Sequence, residues 1–240
     1  MKMKLTAPAL VIASCLSLLS CTTAGENKSE MKAPTEAQEK EAEDKDQPNP
    51  AMNKEEAETK TISDMQSAFK GETTASAKYA AYSKKAEQEG YHAIALLYKA
   101  ASTAENIHAS NHKAVLQESG IAVPVIKPEY TVKSTKENLE DAIKGETYEA
   151  TIMYPDFLKT ANEAGNQLVL ISLNYAYKTE KKHKVMYETA LAALHNNTAK
   201  LLAVVFFVCP TCGNTYETTA AKRCGISMTG GEKFIKISSH

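Results

Sequence analysis

The chain carries two Glu-x-x-His pairs, Glu105/His108 and Glu180/His183, inside stretches whose apolar residues recur at helical spacing. Residues three apart on a helix project side by side, so each pair presents a carboxylate and an imidazole to one face. Around Glu105 that face also holds Ile94, Leu97, Ala101 and Val115; around Glu180 it holds Leu170, Leu173, Tyr177, Tyr187 and Leu191. Two further stripes contain carboxylates. One runs Met65, Ala68, Glu72, Ala75, Tyr79, Tyr82, and the other Leu139, Ile143, Glu146, Glu149, Met153, Phe157. Five glutamates and two histidines therefore point where the core of a helical bundle belongs. A buried carboxylate without a counter-charge costs several kcal/mol, so five together rule out a stable core unless cations neutralise them. Two divalent ions bring four positive charges and two ferric ions six, which brackets the five negative ones. Oxygen and imidazole donors suit iron or manganese and also admit zinc.

Punctuation bounds four helices, at about 62–90, 91–119, 134–165 and 166–202. Gly90, Gly120 and Gly165 mark three of the ends, and Ser134 with Glu137 makes a capping box. Pro124 and Pro128 place 121–133 in an extended connection. Two short connections and one long crossover give the ferritin-like bundle arrangement, so residues 61–202 read as a mainly α, ferritin-like four-helix bundle with one Glu-x-x-His pair on each of two helices. The formal net charge of −1 argues against nucleic acid as a partner.

The ends of the chain read differently. Residues 1–20 open on two lysines and continue through an apolar run too short to span a membrane, the pattern of an export signal. The run ends Leu18-Leu19-Ser20-Cys21, which resembles a bacterial lipobox. The resemblance implies cleavage before Cys21 and an exported lipoprotein held to the membrane only by lipid on that cysteine, on the outer-membrane or periplasmic side if the cell has two membranes. Residues 21–60 read as a disordered acidic tether: 25–60 hold 11 Asp/Glu and six Lys, with no Val, Ile, Leu or aromatic side chain. At the other end, 203–208 is β-branched and aromatic, as in a strand, and Cys209-Pro-Thr-Cys212-Gly213 is a knuckle that aims two thiolates at one metal.

The runs Lys70-Gly-Glu-Thr-Thr-Ala-Ser-Ala-Lys-Tyr79, Ala104-Glu-Asn-Ile-His108, Lys144-Gly-Glu-Thr-Tyr-Glu149, Met153-Tyr-Pro155 and Glu180-Lys-Lys-His183 together resemble the rubrerythrins over about residues 62–237. The resemblance implies a di-iron peroxidase that reduces hydrogen peroxide to water. Glu105 and Glu180 would bridge two irons, Glu72, Glu146 and His183 would be terminal ligands, and Glu149 and His108 would exchange at one iron. Tyr79 and Tyr154 match tyrosines that hydrogen-bond ligand carboxylates. Residues 203–240 resemble the rubredoxin-like domain of that family, which holds one iron and passes electrons from a donor, here unidentified, across a homodimer. The match breaks at one ligand: Cys224-Gly-Ile-Ser227 stands where the family has a second Cys-x-x-Cys. Iron on Cys209, Cys212, Cys224 and Ser227, zinc at the same knuckle, and an empty or oxidised knuckle remain three readings. An iron-handling lipoprotein, a ferroxidase without efficient peroxide turnover, is the alternative function, and a structural zinc-binding lipoprotein a third.

Overall fold

A computed structural model of the chain describes residues 52–239. The lipobox, Cys21 and residues 21–51 of the acidic segment lie outside the described residues. The described chain folds into a helical bundle with a small sheet at its C-terminal end. The helices are α1 (Lys54–Gln88), α2 (His92–Glu118), α3 (Thr135–Tyr148), α4 (Tyr154–Ala164) and α5 (Gln167–His195). Among the described residues no helix is long and apolar enough to cross a membrane.

Helix α1 begins at Lys54, inside the stretch read from composition as tether. The reason is local. Asn53 accepts from the Glu56 amide while the Glu56 side chain accepts from the Asn53 amide, a reciprocal cap, and Ala57 and Thr61 are buried. The capping box expected at Ser134 is present at the start of α3. Helix α5 stops at His195, short of the expected 202, because Asn197 takes a left-handed conformation (φ 57°) and Thr198 N–H closes on the Ala193 carbonyl at 2.8 Å.

The third helix is not continuous as its sequence pattern suggests. A π-turn, Glu149–Met153, separates α3 from α4. In an unbroken helix Tyr154 would sit about 80° round from Glu146, eight residues at about 100° each. A π-turn absorbs one residue and brings it back to within about 20°. Tyr154 and Ala150 are therefore buried, while Met153 and Phe157 of the expected stripe are only partly so. The turn aims both Glu146 and Tyr154 inward.

After α5, strands β1 (Val205–Val208), β2 (Thr215–Glu217) and β3 (Ile235–Ser238) form an antiparallel sheet in the order β2-β1-β3. Strand β1 starts two residues later than expected. Its Phe206 and Val208, with Ile237 of β3, join Ile94, Leu97, Tyr98 and Ala101 of α2 in one apolar core. That shared core seats the cysteine knuckle beside the middle of the bundle.

Candidate metal centre

The bundle interior brings the predicted donors into two overlapping groups. Glu72, Glu105, His108 and Glu180 form one, and Glu105, Glu146, Glu180 and His183 the other, each with its donor atoms within 4.8 Å of one another. All are buried. Glu105 and Glu180 belong to both groups, and each gives one oxygen to each side. His108 Nδ1 lies 2.9 Å from Glu105 Oε2 and 2.9 Å from Glu180 Oε1; His183 Nδ1 lies 3.1 Å from Glu105 Oε1 and 3.0 Å from Glu180 Oε2.

The far side of each imidazole fixes what Nδ1 can be. His108 Nε2 is 3.0 Å from the Cys212 carbonyl, which only accepts, so Nε2 carries the proton. His183 Nε2 is 3.0 Å from Thr215 Oγ1, whose own hydroxyl donates to the Gly213 carbonyl at 3.1 Å. A neutral ring with Nε2–H presents a bare Nδ1, the arrangement that second-shell partners impose on metal-binding histidines. Two bare nitrogens then face carboxylate oxygens, lone pair against lone pair. Glu72 Oε2, Glu105 Oε1, Glu146 Oε2 and Glu180 Oε1 have no hydrogen-bond partner. Such an array is stable only around cations, and the donor set fits two metal ions.

Protons must stand in when metal is absent. Burial and the Glu180 charge push Glu72 up to about 8. Burial and neighbouring carboxylates, Glu180 first, hold Glu146 well above the usual carboxylate range. Burial alone would lower His108 and His183, but the surrounding glutamates raise both well above the ordinary imidazole value. Glu105 moves the other way, to about 2, because the charges of His183 and His108 outweigh its burial.

The tyrosines take the expected positions. Tyr79 donates to Glu146 Oε1 at 2.6 Å, and Tyr154 donates to Glu72 Oε1. Glu149 stands apart. It heads the π-turn, is only partly buried, and belongs to neither group. Burial, then the charges of Glu72 and Glu146, raise its pKa well above the ordinary value.

Sequence reasoning missed His112, which is fully buried between Ser172 and Tyr154. Its Nδ1 is 2.8 Å from Ser172 Oγ and its Nε2 3.2 Å from Tyr154 Oη. Burial lowers its pKa to about 3, so the ring is neutral. One helical turn beyond His108 was the available signal. Thr215 and Gly213, the backing of the two metal-facing histidines, carried none.

At the knuckle, Cys209, Cys212 and Cys224 are free and buried. Cys212 and Cys224 sulfurs lie 3.4 Å apart, and Cys209 Sγ lies 3.2 Å from Ser227 Oγ. The two turns have the same form. Gly213 N–H closes on the Cys209 carbonyl at 2.9 Å with φ 73°, and Met228 N–H closes on the Cys224 carbonyl at 3.1 Å with φ 61°. Ser227 thus occupies in the second turn the place of Cys212 in the first. Hydrogen bonding from Cys212, then from Ser227, lowers Cys209 to about 4 despite burial, while Cys212 keeps the shared proton and moves up. The knuckle sits against its own bundle: the Cys212 carbonyl that backs His108 is in the same chain. The shared α2–β1 core holds knuckle and bundle of the same chain together.

Comparison with known proteins adds three findings. The family profile described as rubrerythrin matches residues 65–191. Rubrerythrin-1 of Clostridium acetobutylicum is 34% identical over 172 residues, 69% of this chain and 88% of that one. Nigerythrin of Nitratidesulfovibrio vulgaris is 31% identical over 176 residues, 72% and 85% of the two chains. A solved structure of nigerythrin in its fully reduced, all-ferrous state superposes with a TM-score of 0.66 at 28% identity, covering 80% of this chain and 90% of that one.

Proposed function

We propose, since the chain belongs to the rubrerythrin family, that it is a di-iron oxidoreductase of oxidative-stress defence that reduces hydrogen peroxide to water. The observation that carries this reading is the pair of donor groups sharing Glu105 and Glu180. Two irons held there would supply electrons to the O–O bond and act as Lewis acids toward the developing oxide charge. The remaining work belongs to the chain. Tyr154 and Tyr79 hold Glu72 and Glu146 in orientation, and the Cys212 carbonyl and Thr215 hydroxyl hold the histidine tautomers. Glu149, which belongs to neither group, would be the carboxylate that exchanges with His108 at one iron. A metal held by Cys209, Cys212, Cys224 and Ser227 would supply the returning electrons, and the Cys212 carbonyl of that knuckle is hydrogen-bonded to His108. In this reading the protein works outside the cytoplasm, tethered by lipid on Cys21.

One observation favours the second reading, a ferroxidase or iron-binding lipoprotein. Ser227 puts a hard oxygen donor into the electron-input site, which slows reduction by a weak donor. Anaerobic stopped-flow mixing of iron-loaded, reduced protein with peroxide and with dioxygen separates the two. The peroxidase reading expects peroxide to oxidise the centre faster; faster oxidation by dioxygen overturns it in favour of the ferroxidase.

A further inference from the structure

Beside the metal cluster four buried tyrosines fill the bundle core: Tyr79 and Tyr82 from α1, Tyr98 from α2 and Tyr187 from α5. Their ring centroids form a continuous set, 6.1 Å for Tyr79–Tyr82, 6.0 Å for Tyr79–Tyr98, 5.4 Å for Tyr82–Tyr98, 5.3 Å for Tyr98–Tyr187 and 5.5 Å for Tyr79–Tyr187. The inner end touches the metal site, through Tyr79 on Glu146 and the Tyr187 ring 6.4 Å from that of His183. The outer end is Tyr82, whose hydroxyl lies 3.0 Å from Asp141 Oδ2 and 3.1 Å from the Thr131 carbonyl. The Asp141 side chain is 50% exposed. Tyr82 and Asp141 line a surface cavity with Lys78, Glu129 and Tyr130.

Packing does not account for tyrosine at all four places. The Tyr98 and Tyr187 hydroxyls are buried without a hydrogen-bond partner, which costs about 1–3 kcal/mol each. Phenylalanine fills the same volume without that cost. What a phenol adds is ease of one-electron oxidation. We propose that the four rings are a one-electron path between the metal cluster and Tyr82, and that Tyr82 is the residue oxidised at its outer end.

The proposal rests on the peroxide-reducing reading and balances as follows. Peroxide needs two electrons and two protons to become two waters. When the centre has one electron to give, Tyr82 supplies the other. Its electron travels inward along the rings, its phenolic O–H breaks, its proton passes to Asp141 Oδ2, and a neutral phenoxyl radical remains. Peroxide gains two electrons, the centre and Tyr82 lose one each, and solvent supplies the two protons that complete the waters. Lys78 favours this course. Its ammonium pairs with Asp141 at 2.9 Å, keeping the proton acceptor ionised, and lies 5.9 Å from the Tyr82 ring centroid, opposing any ring cation that keeps its proton. Lys78 also lies 5.2 Å from the Tyr79 ring centroid. The stable product is therefore the deprotonated radical at Tyr82.

The test uses the iron-loaded full chain poised one electron short of full reduction, mixed anaerobically with one equivalent of peroxide and freeze-quenched for electron paramagnetic resonance. The wild type is expected to give a radical signal that narrows when the chain is built with ring-deuterated tyrosine. Tyr82→Phe and, separately, the surface change Asp141→Asn are expected to lose that signal while peroxide consumption by the fully reduced protein stays unchanged. A wild type that consumes peroxide when fully reduced but gives no tyrosyl signal overturns the proposal and leaves the function standing. An unaltered signal in either variant also overturns it. Failure of the fully reduced wild type to consume peroxide instead overturns the functional reading beneath it.

Discussion

Gly213 holds the knuckle against the metal site, and replacing it is a sharp test of that contact. Its φ is +73°, and a Cβ there would overlap His108 Nε2, approach His108 Cδ2 at 2.9 Å and meet the Ala104 carbonyl oxygen at 3.1 Å. Gly213→Ala adds about 1 kcal/mol for the left-handed backbone. It also removes the His108–Cys212 hydrogen bond, worth about another 1 kcal/mol. The expected loss is about 2–3 kcal/mol, a fall in melting temperature of about 5–10 °C for a chain of this size, and about 10–100-fold weaker metal binding in the bundle. Backbone strain and steric contact can be separated. Met228 holds φ 61° at the equivalent place in the second turn, so the left-handed conformation is tolerated there with a side chain. Gly213→Asn keeps the tolerance for that conformation but has the same Cβ. The contact argument expects Asn to recover at most the backbone share of about 1 kcal/mol in thermal unfolding, and to hold the bundle metal as weakly as Ala by chelator competition. Full recovery of stability and metal affinity in the Asn variant, or an Ala variant indistinguishable from wild type, would refute it.

Other expectations follow from the same geometry. Glu105→Gln, which removes a charge shared by both donor groups, is expected to lose both bundle metals by elemental analysis, whereas Glu72→Gln or Glu146→Gln loses mainly one. The metal-free protein binds more protons folded than unfolded wherever Glu72 is raised to about 8 and His108 and His183 are raised. Its stability should fall as pH rises from about 4.5 toward 8, the sign expected for groups whose folded pKa is raised. Added metal should flatten that dependence, as chemical denaturation at several pH values will show. Ser227→Cys is expected to give a four-thiolate iron spectrum and a higher reduction potential at the knuckle; identical spectra and potentials in the two proteins would remove Ser227 from the ligand set. Mass spectrometry of the mature N-terminus is expected to find lipid on Cys21, and an unmodified different first residue would rule the anchor out.

Much of this molecule was legible because its functional residues break the rule its core otherwise obeys. Glu105, His108, Glu180 and His183 occupy positions that 3/4 spacing assigns to apolar side chains, and only a metal reconciles the two. The glycines at 90, 120 and 165 and the Ser134 capping box likewise act through near neighbours, which a sequence displays directly. What stayed hidden depends on longer range or on broken periodicity. The π-turn at Glu149–Met153 shifts the inward face by one residue, so a constant helical period places Met153 where Tyr154 belongs. The start of α1 was hidden by its charged composition, although Asn53 and Glu56 spell the cap. His112, Thr215 and Gly213 act on Tyr154, His183 and His108 across the fold, and nothing in their own neighbourhoods marks them. The docking of the knuckle on its own bundle follows from packing between α2 and β1, which no local pattern encodes.

The central claim is that Glu105 and Glu180 bridge two irons in one buried site. Mössbauer spectroscopy of the oxidised protein loaded with iron-57 tests it most directly. The account predicts a magnetically coupled ferric pair in oxygen and nitrogen coordination, present at one pair per chain and abolished in Glu105→Gln. Isolated, uncoupled ferric ions in the bundle, or a coupled pair that survives Glu105→Gln, would contradict it.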